Sequence, residues 1–397
     1  MPVLSAQESI LKSVRPDKIY GSSLLKVAEI FESVEASARV SDLAEEFQRR
    51  DDLMAVGVCG ESGLALGLVT RVHLFSLLGK PFGRDILSRR TISEVVETTE
   101  TFDMNTNLFQ AAERLQPSMD RSQVQYYLLT DAEGSFRGVF SSKDLLAFLS
   151  RITQEDIRLA GQLQERLVKN RLSQAGTGWA VEALSQSAQG LGGDFYHVMP
   201  LADGRVFVAL GDVSGKGVAA SVLTSLLWGV LQFYDYRLGL KRLLAQVNEA
   251  LIRTFHLEKY LTGVFLIYDP QTRDLTLADM GHGHGWLVRG GRARPLRRAD
   301  TNAAGMNLPL GIDLELNPQV YRLKLEAGDL VCLYTDGLTE QENDQGQEFG
   351  EGVVVRTACH HAGEARDLPE TLLARLARHQ GTVPRLDDVS WLQLKVD

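Results

Sequence analysis

Apolar and polar positions follow two different periods along this chain, and the changes between them divide it into segments. Residues 1–20 carry little apolar pattern and read as a loosely held tail. Residues 21–150 hold one pattern twice. In the first copy SDLAEEF precedes AVGVCGESGLALGLVTRVHLFSLL; in the second TNLFQAAERL precedes VQYYLLTDAEGSFRGVFSSKDLLAFL. Each copy predicts helix, strand, glycine turn, strand, helix. Gly63 and Gly134 lie 71 positions apart, as do Gly67 and Gly138, and Leu74 and Leu145. A constant offset marks duplicated units. Each copy is too small to bury a good core alone, so the two are expected to pack on one another.

Residues 144–172 contain no Pro and only Gly161, and Leu145, Leu149, Ile152, Leu159, Leu163 and Leu167 recur near the helical period. The pattern predicts a helix of about seven turns. Its apolar stripe reads as the seam of a homodimer that would carry motion between domains; packed on its own chain it would carry none. SQAGTG at 173–178 reads as a Ser/Gly-rich boundary, which makes 151–175 a helical linker and 176–397 one large domain. In that domain RVFVALGDV, GVFLIYDP, DLTLADM, VYRLKLE, DLVCLYTD and VSWLQLKV read as strands, and Ala219–Tyr236 and Leu240–Phe255 as helices. Strands in both halves with paired helices between them predict antiparallel sheets covered by helices, not a wound βαβ sheet.

Composition matters mainly for what it excludes. With 397 residues, 44% hydrophobic and 23% charged, the chain is of ordinary globular type and long enough for two or three domains. The longest apolar runs, such as Val222–Val230, fall far short of the roughly 20 residues a bilayer needs. MPVLSAQESILKSVRPDK has no apolar signal region, so a cytoplasmic location is expected. A net charge of −9 argues against nucleic acid as a partner. Cys59, Cys332 and Cys359 are too few and too scattered for a disulfide framework or a zinc site. A cysteine phosphatase needs an Arg closing the loop after its thiolate; the sixth residues on are Leu338 and Ala365, so all three cysteines read as packing residues.

Acidic residues stand at the tips of apolar strands. Asp194 follows two glycines in GLGGDFY; Asp212 ends VFVALGD and is followed by VSGKG. Asp336 ends VCLYTD before Gly337, and Asp387 and Asp388 open the last strand. A lone Asp-Gly is an ordinary turn. Four such tips beside glycines, where backbone approaches closely, predict a cage for hard cations. Other phosphate and metal motifs fail. Lys216 is not followed by Ser or Thr as a Walker A loop requires, and GHGHG at 281–285 lacks the dinucleotide spacing. His282 and His284 have no third His with which to hold zinc.

The segments GGDFY, ALGDVSGKGVAAS, LTGVFLIYD, DMGHGH, LPLGI, GDLVCLYTDGLTEQEN, EFG and DDVSWLQL, in this order, resemble the PPM-type metal-dependent Ser/Thr phosphatases. The branch is the bacterial one named after the stage II sporulation phosphatase and the stress-response sigma-factor regulators. The likeness spans nearly all of 176–397, and AGQLQERL is similar to the helix leading into that domain. The resemblance implies an α+β fold, an αββα sandwich of two antiparallel sheets flanked by helices. It implies two Mn2+ or Mg2+ ions: Asp212 bridging both, Asp194 and the carbonyl of Val213 completing one, Asp336 and Asp387 the other, with Asp388 and Thr335 around them. A hydroxide between the ions would attack phosphorus. The implied substrate is a phosphorylated anti-sigma-factor antagonist. Three positions depart from relatives: Ser214 stands where animal and plant enzymes have a His, His197 where an Asp is common, and His284 where Pro is usual. Four intact carboxylates argue against the rival reading, a non-catalytic scaffold.

Residues 21–150 resemble a tandem CBS pair, an α/β regulatory module whose halves form a cleft for an adenine nucleotide. The second copy carries the Gly-x-x-Ser/Thr-x-x-Asp run as Gly138, Ser141 and Asp144; the first has Gly67 and Thr70, with His73 in place of Asp. The resemblance implies nucleotide contacts at Ser141 and Asp144 and control of the phosphatase through the helical linker. By its residues alone, Ser141 ahead of a helical run reads equally as a helix cap.

Overall fold

The computed structural model describes residues 9–14, 23–119, 123–188, 190–296, 307–361 and 365–397. The chain divides into two units, Met1–Gln154 and Glu155–Asp397.

The first unit contains β1 (Lys12–Ser13), β2 (Glu32–Glu35), α1 (Val40–Arg49), β3 (Ala55–Cys59), β4 (Ala65–Thr70), α2 (Arg71–Leu78), α3 (Gly83–Leu87), β5 (Thr101–Asp103), α4 (Leu108–Met119), β6 (Tyr126–Thr130) and β7 (Phe136–Ser141), followed by α5 (Ser142–Leu167). The offset of 71 holds for both ends of β3 and β6, both ends of β4 and β7, and the first residues of α2 and α5. Register repeats as well. Val58 faces Gly67 and Leu129 faces Gly138, and the pairing then slips between Val58 and Cys59 and between Leu129 and Thr130. Gly63 and Gly134 make the two turns at φ 80°, a conformation that a Cβ disfavours. The turns bind one another: Ala65 N donates to Gly134 O at 3.0 Å and Phe136 N to Gly63 O at 3.2 Å. Ala55, Cys59, Leu68, Leu128, Phe136 and Val139 form a core shared by both copies. The copies therefore pack on one another, as their size requires.

Residues 1–20 are not all tail. Lys12 and Ser13 pair with Ser33 and Glu32 at the edge of the first sheet; residues 1–8 and 15–20 lie outside the described residues.

The second unit holds β8 (Arg171–Gly176), β9 (Trp179–Gln186), β10 (Asp194–Pro200), β11 (Val206–Val213), α6 (Val218–Phe233), α7 (Leu240–Phe255), β12 (Leu261–Asp269), β13 (Asp274–Met280), β14 (Gly285–Arg289), β15 (Arg292–Pro295), β16 (Tyr321–Lys324), β17 (Leu330–Tyr334), α8 (Asp336–Thr339), α9 (Glu351–His360), α10 (Leu368–Gln380) and β18 (Val389–Val396). Two antiparallel sheets result, ordered β10-β11-β12-β13-β16 and β15-β14-β17-β18-β9-β8. The period of two sorts the layers. Along β18, Leu392, Leu394 and Val396 join a core with β11, β12, α6 and α7, while Val389 and Trp391 pack with α9 and α10. The order of layers is helix, sheet, sheet, helix.

Two boundaries differ from expectation. The helix expected over 144–172 ends at Leu167, and 171–175, counted as linker, form the edge strand β8 together with Gly176. Its pairing with β9 runs from Arg171 opposite Leu184 to Gly176 opposite Trp179. Thr177 and Gly178 form the two-residue hairpin loop, with Gly178 at φ 81°. Residues 173–176 of the Ser/Gly-rich run are thus strand, and Thr177 and Gly178 the turn that follows. The leucine stripe of α5 is also divided. Leu145, Leu149 and Ile152 belong to the core of the first unit, whereas Leu159 and Leu163 are 47% and 63% exposed. Lastly, Asp336 does not end a strand: β17 stops at Tyr334 and Asp336 begins α8.

Candidate active site

The ends of β10 and β11 place Asp194 directly opposite Asp212. Asp194 is only 5% exposed and accepts a hydrogen bond from Thr335 Oγ1 at 2.7 Å. Burial, then the charge of Asp212, hold its proton affinity well above the usual carboxylate range. Asp212 is pushed up to about 7 by burial and by the charges of Asp336, Asp387 and Asp388. The acids expected from sequence thus share one electrostatic field, and their repulsion is the kind a bound cation relieves.

Glycine makes room at the centre of this group. A Cβ on Gly193 would stand 2.7 Å from Asp212 Oδ1, 2.8 Å from the carbonyl oxygen of Val213 and 3.2 Å from that of Gly215. Only glycine lets the carboxylate and the carbonyl share that space. Asp388 fixes the same loop: it accepts from Ala188 N at 2.9 Å and Gly193 N at 2.7 Å. It is a support, as Thr335 is. Among the described residues no three acidic, His or Cys side chains close on one point. Asp387 pairs with Lys216, whose Nζ lies 2.8 Å from its Oδ2, and accepts from Asp388 N at 2.9 Å. The donor set, hard oxygens from four carboxylates and one carbonyl, fits Mg2+ or Mn2+ by chemistry.

Three residues that sequence reasoning passed over bear on the site. Gln164 Nε2 donates to Gly192 O at 2.7 Å and to Thr224 Oγ1 at 2.9 Å, and its Oε1 accepts from Gly192 N at 3.1 Å. One amide thereby ties α5 to the GGD loop and to α6. Gly161, one turn earlier on the same face, is packed so closely that a Cβ would lie 2.5 Å from Gly190 O. A glycine and an amide three positions apart on a leucine-rich helix were the available signal. Lys259 Nζ donates to Ser214 O at 3.1 Å, and Tyr260 N to Ser214 Oγ at 3.0 Å. Ser214 is engaged in holding the loop. Lys216, the third, stands at the rim.

The histidines and cysteines have structural surroundings. His282 is buried, pushed down to about 4 by burial, and bonds through Nε2 to Tyr334 O at 2.9 Å. Burial also lowers His197 to about 4, between Phe207 and Trp228. Cys59, Cys332 and Cys359 are free thiols with proton affinities raised by burial.

In the first unit Ser141 and Asp144 form a reciprocal cap on α5. Ser141 N donates to Asp144 Oδ2 at 2.8 Å, and Asp144 N to Ser141 Oγ at 3.1 Å. In the other copy, where His73 replaces Asp, Glu97 takes over: it accepts from Thr70 N at 2.9 Å and Thr70 Oγ1 at 2.8 Å. A cleft of about 920 Å3 opens here, lined by Thr70, His73, Glu97, Glu100, Gln125 and Tyr126 among others. Its described lining includes no Lys or Arg. Neither Ser141 nor Asp144 is among its described lining residues, although the charge of Asp144, after burial, raises the proton affinity of Tyr126, which is.

Residues 202–397 match the family described as Stage II sporulation protein E (SpoIIE). The chain is 22% identical over 261 residues to the phosphoserine phosphatase RsbU of Bacillus subtilis, covering 65% of this chain and 75% of that protein. It is 22% identical over 244 residues to the protein IcfG of Synechocystis, covering 54% of this chain and 37% of that one. Among solved structures, the SiaA-PP2C domain of Pseudomonas aeruginosa matches 63% of this chain and 99% of its own length at 19% identity and a TM-score of 0.53. The second unit therefore has the PP2C-like α+β fold.

Proposed function

We propose that the C-terminal unit, residues 202–397 of which match the SpoIIE family, is a protein-serine/threonine phosphatase of the PP2C type, and that it works with two divalent cations held by Asp194, Asp212, Asp336, Asp387 and the carbonyl of Val213. The observation that carries the ion assignment is the pair Asp194 and Asp212, face to face, with their proton affinities raised by burial and by neighbouring acids around a space only Gly193 leaves open.

Mn2+ or Mg2+ there would supply a water acidic enough to act at neutral pH and would screen the phosphate. The chain's own residues do the rest. Asp388 and Thr335 fix the loop and the carboxylate from which that geometry derives. Ser214, bonded through its hydroxyl to Tyr260 N, keeps the turn after Asp212 closed. Cys332 and Cys359 take no part, because their thiols stay protonated.

The substrate of this reading is a phosphorylated anti-sigma-factor antagonist in the cytoplasm. The first unit acts as a CBS-like regulatory module that takes an adenine nucleotide near Ser141 and Asp144, and the exposed Leu159 and Leu163 of α5 serve a homodimer seam. Duplication to the residue and the cleft beside Tyr126 support the module. Among the described residues no helix is long and apolar enough to cross a membrane.

Phosphate release from a phosphoserine peptide tests the enzyme. Turnover is expected with Mn2+ or Mg2+, to vanish with EDTA, and to fall at least about a thousandfold in Asp336→Asn, because the carboxylates act as a unit. Undiminished turnover in EDTA would refute the ion assignment.

A further inference from the structure

Lys216 is the cation at this site whose bonds are easiest to exchange. It stands in the turn between β11 and α6, flanked by Gly215 at φ 92° and Gly217 at φ 75°, so its side chain leaves from a segment outside both elements. Its ammonium touches Asp387 at 2.8 Å and donates to Leu386 O at 2.9 Å. The pair is half exposed, 48% for Lys216 and 43% for Asp387, a setting in which an ion pair adds little stability. Two neighbouring cations are engaged differently. Lys259 is half-buried against the carbonyl of Ser214, and Arg385 is bonded to Gln186 Oε1 at 2.7 Å.

Charge explains why such a lysine is needed. Four carboxylates against two divalent ions leave the cage near neutrality, and Asp388 adds one more negative charge beside it. A phosphomonoester dianion arriving there meets no net attraction unless another cation faces it. A divalent ion that takes Asp387 also removes the partner Lys216 has in the structure. The ammonium then keeps its bond to Leu386 O and has two of its three donors free at the rim, and ammonium is a common point-charge partner of phosphate.

We propose that Lys216 is the phosphate-binding residue of this site: it pairs with Asp387 until a divalent cation claims that carboxylate, and then binds the phosphate oxygens of the incoming ester. The proposal rests on the phosphatase reading. It makes Lys216 a competitor of the metal and a partner of the substrate, two effects of opposite sign on one side chain.

The test uses the full chain with Lys216→Gln and Lys216→Arg. Calorimetric titration with MnCl2 is expected to show K216Q binding Mn2+ about threefold or more tighter than wild type, since a competing positive charge is gone. Titration of inorganic phosphate into the Mn2+-loaded chain is expected to show about tenfold weaker binding in K216Q, with KM for a phosphoserine peptide rising likewise and kcat falling by a smaller factor. K216R is expected to restore phosphate binding. Phosphate binding by K216Q equal to wild type would overturn the proposal, as would weaker Mn2+ binding by K216Q, which would make Lys216 a structural support of the cage. If wild type itself shows no Mn2+-dependent turnover, the phosphatase reading falls; if it turns over and only the Lys216 effects are missing, this proposal alone falls.

Discussion

Carboxylates lie against strand ends in both units, and their surroundings differ. In the first unit they are satisfied by the chain itself. Asp144 accepts from Ser141 N, and Glu97 accepts from Thr70 N and Oγ1. In the second unit Asp194 and Asp212 face one another in a field of further acids, and their proton affinities rise. A carboxylate answered by backbone N–H groups is complete as a piece of structure. One answered chiefly by other carboxylates still lacks its counter-charge, which is the mark of a functional site. The contrast also grades Asp388 against its neighbour Asp387: two backbone amides hold Asp388, while one amide, Asp388 N at 2.9 Å, and a half-exposed lysine hold the side chain of Asp387.

The sharpest way to break this contrast is to fill the space between the acids without touching their charge. Gly193→Ala places a methyl 2.7 Å from Asp212 Oδ1 and 2.8 Å from Val213 O, so both must shift. Phosphatase activity should fall on the order of 100-fold or more, as displacements near 1 Å do in catalytic sites. Gly63→Ala is the matching change in the first unit. Its Cβ meets nothing within 4 Å, and only the φ of 80° is unfavourable. That variant should lose about 1 kcal/mol of stability and keep its kcat. Equal activity in the two variants would show that the glycine beside Asp194 is a turn residue like the other.

A second prediction concerns stability alone. Asp212 titrates near 7 in the folded chain against 3.8 for a free aspartate. Its raised value means that the folded state binds the proton more tightly than the unfolded one. The stability this brings is fully present below about pH 4 and is lost as pH rises through 7. In EDTA, wild type and Asp212→Asn should therefore melt alike near pH 4. Near pH 8 wild type should be the less stable by on the order of 2 kcal/mol, after allowance for screening. Saturating Mn2+ should reverse that order. Parallel melting curves for the two proteins across this range would show that Asp212 carries no repulsion worth relieving.

How much of this was legible in the sequence follows the same division. The 71-residue offset located β3, β4, β6 and β7 because a repeat writes its register twice. Helix α7 was predicted to the residue because its apolar face is continuous between Gly239 and the left-handed His256. The acids were legible because Asp at the tip of an apolar strand has no packing explanation. The edge strand β8 was hidden, since Ser-Gln-Ala-Gly-Thr-Gly has loop composition and its structure comes from pairing with β9. Gln164, Lys216 and Glu97 were hidden for a related reason. Each acts through a partner distant in sequence, Thr224, Asp387 and Thr70, and composition carries no trace of such a bond.

The smallest effects test whether Asp144 belongs wholly to the satisfied class. As a cap partner, its loss in Asp144→Ala should cost about 1 kcal/mol, read as a lower melting temperature with unchanged kcat in the isolated chain. As a nucleotide contact it must also reach the ribose hydroxyls, and each bond made there is drawn from the cap. The cleft beside Tyr126 is lined by Glu97 and Glu100, with no Lys or Arg among its described lining residues. Successive phosphates should therefore be progressively unwelcome. The stabilisation by mass action is expected to run adenosine above AMP above ATP, and Asp144→Ala should flatten the series. The reverse order would put the phosphates against a cation elsewhere and detach the nucleotide from this cleft. Identical melting temperatures for all three would leave Asp144 a cap and nothing more, wholly in the class of carboxylates answered by their own backbone.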